Sequence, residues 1–271
     1  MTEPLTQDLA YWINERESIR LRKEAGTPAP WSLDPCMANV RYCNVHREDD
    51  KVTRWLRSRG VYSRYDVPVW VVVLSRMVNR IETLDWIEPA VAMSDLAGVK
   101  DRLKFRRDMG VPIWGNAYTI STCGKQMDKV DYVVDWVVQA FAEAGEPDFG
   151  SCEETFAQLV CVDGFGSFLA GQVVADLKNI EGHPLKSAPD WHTFAVHGPG
   201  SLKGLTAFWR TPVTPSTFEQ RLGAATALVT PFIANFVAPI HAQDMQNVMC
   251  EFSKYIRVRE GGKARNNYHA I

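Results

Sequence analysis

Arg41, Arg47 and Arg54 recur at intervals of six and seven residues, with Asn44 and His46 among them in the polar stretch VRYCNVHRED. Guanidiniums stay charged and bond phosphate oxygens in pairs, so this composition suits a phosphate-bearing ligand. The alternative is a solvated arginine face paired with Glu48 and Asp49. In CEFSKY, Lys254 follows Glu251 by three residues, where it either pairs with the glutamate or joins the arginines on phosphate. Asp176, Glu251 and Asp190 are the candidate general bases. A carboxylate in partly apolar surroundings gains the proton affinity that general-base work requires. Asp176 follows Gln172 by one helical turn, so the two could face one pocket; a helix-end hydrogen bond is the other reading of Asp176. Arg76 and Asn79 in SRMVN, Asn116 and Tyr118 in GNAY, and Tyr255 are polar groups in apolar surroundings that need partners if buried. Those partners could be a bound ligand, or hydrogen bonds between helices.

The elements that position these residues read as helices. In MDKVDYVVDWVVQAFAEAG, apolar residues from Val130 to Phe141 recur at three and four, and Gly145 ends the run. Ser151 and Glu154 form a capping-box pattern ahead of FAQLVCV. A Gly164-Phe165-Gly166 turn follows, and a third helix leaves it through SFLAGQVVADL. The two glycines permit unusual backbone angles and leave amides bare beside Ser167, which is either the packing of two helices or a phosphate site. Further helices are expected over 5–26, 67–87, 215–236 and 239–258, whereas DWHTFAVHGPGSLKGL and REGGKARNNYHAI read as irregular.

With 271 residues, 46% of them hydrophobic and 23% charged, the chain can bury one sizeable core or two packed lobes. The net charge of −2 argues against nonspecific coating of nucleic acid, yet basic clusters stand at 41–64, 100–107 and 254–265, the last including Arg257. Six cysteines are scattered without a CxxC pair, so neither a zinc knuckle nor a disulfide framework is expected. Without a signal-like N-terminus or a long apolar run, the expectation is a cytoplasmic protein with no membrane partner.

The glycine turn, with Asp190 downstream in PDWHTF, resembles the helix-hairpin-helix DNA glycosylases, whose hairpin grips the DNA backbone; the hairpin lysine of those enzymes has no counterpart here. A narrower resemblance runs through DPCMANVRYCNVHREDDKVTRWL, VVVLSRMVNRIETL, GVPIWGNAYTIS, GFGSFLAGQVVADL, HGPGSLKGL and MCEFSKYIRVREGGKARNNY, six blocks spanning 34–268. In this set the chain is similar to the alpha-glutamyl/putrescinyl-thymine pyrophosphorylases, which include phage amino acid:DNA transferases and helical domains attached to 5-hydroxymethyluracil DNA kinases.

The resemblance implies an all-α fold, a helical bundle of two packed lobes with a glycosylase-like helix-hairpin-helix. Residues 1–271 would form a single catalytic domain with a basic tail over 257–271. It implies a transferase of thymidine hypermodification that replaces the pyrophosphate of 5-pyrophosphoryloxymethyl-deoxyuridine in DNA with an amino acid or related nucleophile, after the base is rotated out of the stack. Arg41, Arg47, Arg54 and Lys254 would then hold pyrophosphate. Asn44, Arg76, Asn79, Asn116, Tyr118, Gln172 and Tyr255 would contact base or amino acid, and Gly164, Gly166, Ser167 and Arg257 the DNA backbone. The implied partners are double-stranded DNA carrying modified 5-hydroxymethyluracil, a free amino acid and, functionally, a 5-hydroxymethyluracil DNA kinase. Kinase activity is not expected of this chain itself, because GPGSLKGL falls short of a GxxxxGKS phosphate loop. No resident cofactor is expected, with room for a divalent ion beside pyrophosphate, and a phage-encoded protein would work in the host cytoplasm. The other readings are a glycosylase-like enzyme acting on a modified pyrimidine and a noncatalytic DNA-binding partner of the kinase.

Overall fold

The structure, a computed structural model, describes residues 3–117 and 120–263, so Tyr118 and the tail beyond 263 lie outside the described residues. The described chain consists of helices, turns and loops without a strand. In order the helices are α1 (Thr6–Glu24), α2 (Pro35–Ala38), α3 (Lys51–Arg57), α4 (Gly60–Ser63), α5 (Val69–Val78), α6 (Ile81–Ala92) and α7 (Leu96–Asp108). Then come α8 (Lys129–Asp131), a π-wound segment Tyr132–Val138, α9 (Gln139–Ala144), α10 (Cys152–Leu159), α11 (Ser167–Leu177), α12 (Pro199–Trp209), α13 (Phe218–Val229) and α14 (Ala242–Arg259). They fall into two compact units: a terminal unit built from the chain up to Asp50 and from His192 onward, and a central unit, Lys51–Trp191.

The terminal unit surrounds a core that includes Trp12, Ile13, Phe208, Phe218, Met249 and Phe252, all at most 1% exposed. Burying side chains of this size stabilises the fold by about 1.5–3 kcal/mol each. The GPGSLKGL segment is a correction to the expected irregular stretch, because it opens α12. Pro199 occupies the first helical turn, where its fixed φ suits the helix and its missing N–H leaves no bond unmade. Gly200 and Gly204, one turn apart, bring α12 onto the backbone of α14. A Cβ at Gly204 would stand 1.9 Å from the Met249 carbonyl oxygen, and one at Gly200 would stand 2.3 Å from Cys250 Sγ.

In the central unit α5 is buried along its whole length. The single helix expected over 67–87 is in fact two, because Asn79 turns left-handed at φ 45° and ends α5. Gly115 fixes that break: its N–H donates to the Val78 carbonyl at 2.9 Å, and a Cβ there would come within 2.0 Å of the Asn79 carbonyl oxygen. The apolar run over 130–144 is helical as read and ends at Gly145 with φ 76°, while its middle winds as a π-helix. Ser151 Oγ accepts the Glu154 N–H at 3.0 Å and caps α10, as the capping pattern predicts. Among the described residues no helix is long and apolar enough to cross a membrane.

Candidate functional site

The predicted residues divide between the two units. In the terminal unit the 40–50 segment lies on α14. Glu251 Oε2 accepts the Cys43 N–H at 3.0 Å and faces Lys254 Nζ at 3.3 Å. Lys254 also donates to the Arg41 carbonyl and stands over the Tyr42 ring, 4.6 Å from its centroid. Asn247 Nδ2 donates to the Asn44 carbonyl at 3.0 Å. From α1, the buried Arg16 donates through Nε to the Cys43 carbonyl at 2.8 Å and through Nη2 to Asn44 Oδ1. Arg41, Asn44, Arg47, Glu251, Lys254 and Tyr255 are thus carried by a loop and a helix in contact. The Tyr255 hydroxyl donates to Asp34 Oδ2 at 2.9 Å, and Arg257 is exposed.

The chemistry at the start of α14 comes from residues that spacing alone does not reveal as a set. Asp244, 2% exposed, has His46 Nδ1 at 3.3 Å and His241 Nε2 at 3.0 Å from Oδ2, and its Oδ1 accepts the Arg47 N–H at 2.9 Å. Burial pushes its carboxyl up, but the hydrogen bonds from His241 and His46, the charge of His241 and the Arg47 amide outweigh this and hold it well below the usual carboxylate range. An ionised carboxylate can only accept, so His46 Nδ1 and His241 Nε2 are the nitrogens that carry protons. Burial lowers the His46 pKa, yet the hydrogen bond to Asp244 and the charges of Asp244, Glu17 and Asp49 raise it above the ordinary histidine value. His46 Nε2 is left as the lone-pair nitrogen, buried and without a hydrogen-bond partner among the described residues. A carboxylate that orients an imidazole and supports its cation makes the opposite nitrogen a proton acceptor.

Asp176, Gln172, Arg76, Asn79, Arg54, Asn116 and Asp190 stand in the central unit. Asp176, the first candidate base, is 1% exposed and accepts from both Nε and Nη2 of Arg76, which is itself fully buried. Arg76 Nη2 also reaches Thr53 Oγ1 at 2.8 Å and Nη1 reaches Asn79 Oδ1 at 3.4 Å, while Arg57 donates to the Asp176 carbonyl at 2.7 Å. These bonds fasten α3, α5 and α11 together. Asp190 accepts the N–H groups of Cys152 at 2.9 Å and Glu153 at 2.9 Å, a cap on the first turn of α10. Gln172 is half-buried on α11, and Arg54 and Asn116 are exposed.

Gly164 and Gly166 have different roles. Gly164 has φ 84°, and a Cβ there would come within 2.4 Å of the Tyr132 hydroxyl, which donates to the Gly164 carbonyl at 3.0 Å. Gly166 has φ −83°, and a Cβ there would meet nothing within 4 Å. It precedes exposed Ser167 at the start of α11, which has no side-chain cap.

The sequence pattern shared by the helical domain of 5-hmdU DNA kinases matches residues 3–264. The chain belongs to this helical-domain family. A 5-hmdU DNA kinase of Bacillus phage SP10 is 25% identical over 222 residues, 72% of this chain and 35% of the phage protein. The helical domain described here therefore spans about a third of that relative's length. No solved structure matches the chain. Within this helical domain His46 was legible beside the arginines, but Asp244 and His241 were not. Their signal, a histidine and an aspartate three residues apart at the start of a helix, is too common to stand out until the fold brings His46 to them.

Proposed function

We propose that this chain takes part in thymine hypermodification, as an amino acid:DNA transferase acting on 5-pyrophosphoryloxymethyl-deoxyuridine in DNA. Membership of the 5-hmdU DNA kinase helical-domain family supports the DNA-modification setting. The observation that carries the transfer chemistry is the His46–Asp244–His241 cluster, with the Arg47 N–H bonded to Asp244.

Transfer requires a C–N bond to form at the exocyclic methylene and the C–O bond to pyrophosphate to break, with the electron pair leaving on pyrophosphate. The incoming ammonium must first lose a proton. His46 Nε2 is the acceptor in this reading, which requires this buried nitrogen to open to the incoming amine, and Asp244 holds the ring and stabilises the imidazolium that results. Arg47, next to His46 in the chain and bonded through its N–H to Asp244, would meet the charge gathering on the departing pyrophosphate. Asp176, Asp190 and Glu251 are then positioning carboxylates, because each is engaged by N–H or cationic groups. Gly166 and Ser167 would meet the DNA backbone through the open start of α11.

The membership in a kinase-associated family favours a second reading, a noncatalytic DNA-binding module that serves a separate kinase activity. Mass spectrometry of nucleosides digested from pyrophosphorylated hydroxymethyluracil DNA, after incubation with the protein and a pool of amino acids, separates the two. A nucleoside carrying one added amino acid, with release of pyrophosphate, is the expected product. Unchanged nucleosides with DNA binding retained would establish the binding module instead.

A further inference from the structure

A cleft of about 300 Å³ opens in the central unit where the end of α7 and the 110–114 segment meet the start of α8. Val111, Pro112, Ile113 and Trp114 supply apolar and aromatic surface, and Arg107, Asp128 and Lys129 supply the charge. Most of that charge is already neutralised. Arg107 bonds Asp128 at 2.7 Å and Asp108 at 2.9 Å, and the other Asp128 oxygen accepts the Val130 N–H at 2.8 Å. Nearby cations are paired as well: Lys100 with Asp135 at 3.0 Å, Lys104 with Asp131 at 2.5 Å and Lys125 with Asp163 at 3.2 Å. Lys129 differs. Among the described residues no carboxylate lies within 4.0 Å of its ammonium, which stands instead over the face of Trp114, 4.8 Å from the ring centroid. Burial without a compensating anion lowers its pKa.

We propose that this cleft binds a nucleotide, the Lys129 ammonium turning from the Trp114 face to the phosphate and the base taking its place on the ring. Its volume sits at the lower end of small-ligand sites, which run from about 300 to 1,000 Å³, and suits one nucleotide rather than a duplex. Indole offers a stacking face to any base, and one uncompensated ammonium beside it meets one phosphate. A free amino acid fits less well, because its own ammonium would need a carboxylate and Asp128 is committed to Arg107 and the Val130 amide. The nucleotide could be free or extruded from DNA; the recognition chemistry is the same. Binding here involves no transfer step and stands apart from the transferase reading.

The test is isothermal titration of the full chain with thymidine 5′-monophosphate, thymidine, inorganic phosphate and a short single-stranded oligothymidylate. The monophosphate should bind more tightly than thymidine or phosphate alone. Trp114→Ala should weaken it about tenfold, within the roughly 1–3 kcal/mol per stacked base. Lys129→Gln should reduce the nucleotide to the affinity of thymidine, and Lys129→Arg should retain most of the binding. Should the alanine variant melt early, Trp114→Phe keeps a stacking face and should keep most of the affinity, whereas Trp114→Leu should not. Binding of the oligonucleotide alone, with the same dependence on both residues, would support the cleft and name DNA as the source. Equal affinities for wild type and variants, or no binding of either nucleotide at millimolar concentration, would overturn the proposal and leave the transferase reading untouched.

Discussion

His46 Nδ1 stands 3.3 Å from Asp244 Oδ2, joining a loop residue to the first turn of a helix 198 positions later in the chain. The contact orders the imidazole and leaves its other nitrogen as the acceptor. If His46 is the base of amino acid transfer, His46→Gln should lower the transfer rate by about 10²–10⁴-fold while leaving affinity for DNA near wild type. The wild-type rate should rise with pH and level off above the raised His46 pKa, because only the neutral ring can take the proton. A pH profile that is unchanged in the His46→Gln variant would remove His46 from the reaction.

The same pair bears on stability in two pH windows. The His46 pKa is raised on folding, so its contribution is full below the ordinary histidine value and is lost as pH rises through the folded one. The Asp244 pKa is depressed, so its contribution is present above the ordinary carboxylate value and fades as pH falls below it. Asp244→Ala should therefore destabilise most between these limits, near pH 5–6. Denaturant midpoints measured across pH for wild type and variant would show this, and a difference independent of pH would refute it.

Removing one side of the Arg76–Asp176 pair leaves a charge buried without its partner. Asp176→Asn or Arg76→Met alone should cost about 3–5 kcal/mol. The double change Arg76→Met with Asp176→Leu should cost less than the sum of the single changes, as coupled neighbours do. Urea unfolding of the three variants tests it; additive losses would mean that the two groups do not act as a pair.

His183 is 3% exposed, and its Nδ1 accepts the Leu185 N–H at 3.2 Å, so the folded state needs the neutral ring. Burial pulls its pKa down to about 4. The unfolded chain binds this proton near pH 6.5, so stability is full above that value and declines as pH falls toward 4, by about 3 kcal/mol in all. His183→Asn keeps an acceptor for the amide without the titration and should flatten the acid side of the stability curve. An unchanged curve would show that other groups set it.

At the hairpin, Gly164→Ala forces a side chain into left-handed backbone and against the Tyr132 hydroxyl, and should lower the melting temperature by several degrees. Gly166→Val meets open space at an ordinary φ and should leave the melting temperature near wild type. Weaker DNA binding by the folded Gly166→Val variant would place the start of α11 on the DNA backbone, and unchanged binding would remove it from that role.

The sequence by itself determined the helical class, the long apolar helix over 130–144 with its glycine stop, the Ser151 cap and the joining of two helices by the 164–166 turn. These depend on near neighbours, where the period of the helix and the chemistry of caps and glycines are visible within a few residues. Tertiary structure decided what distance along the chain conceals. GPGSLKGL is a helix because its glycines let α12 lie on the α14 backbone, and 67–87 breaks at Asn79 because Gly115 closes against it. It also sorted the polar residues. Asp176 meets Arg76 and Asp190 meets the first turn of α10, while Asp244 meets two histidines. A carboxylate's surroundings are set by donors that come here from elements far apart in sequence, so residue type and spacing nominated Asp176, Asp190 and Glu251, and only packing showed that these are engaged by N–H or cationic groups and that Asp244 faces two imidazoles.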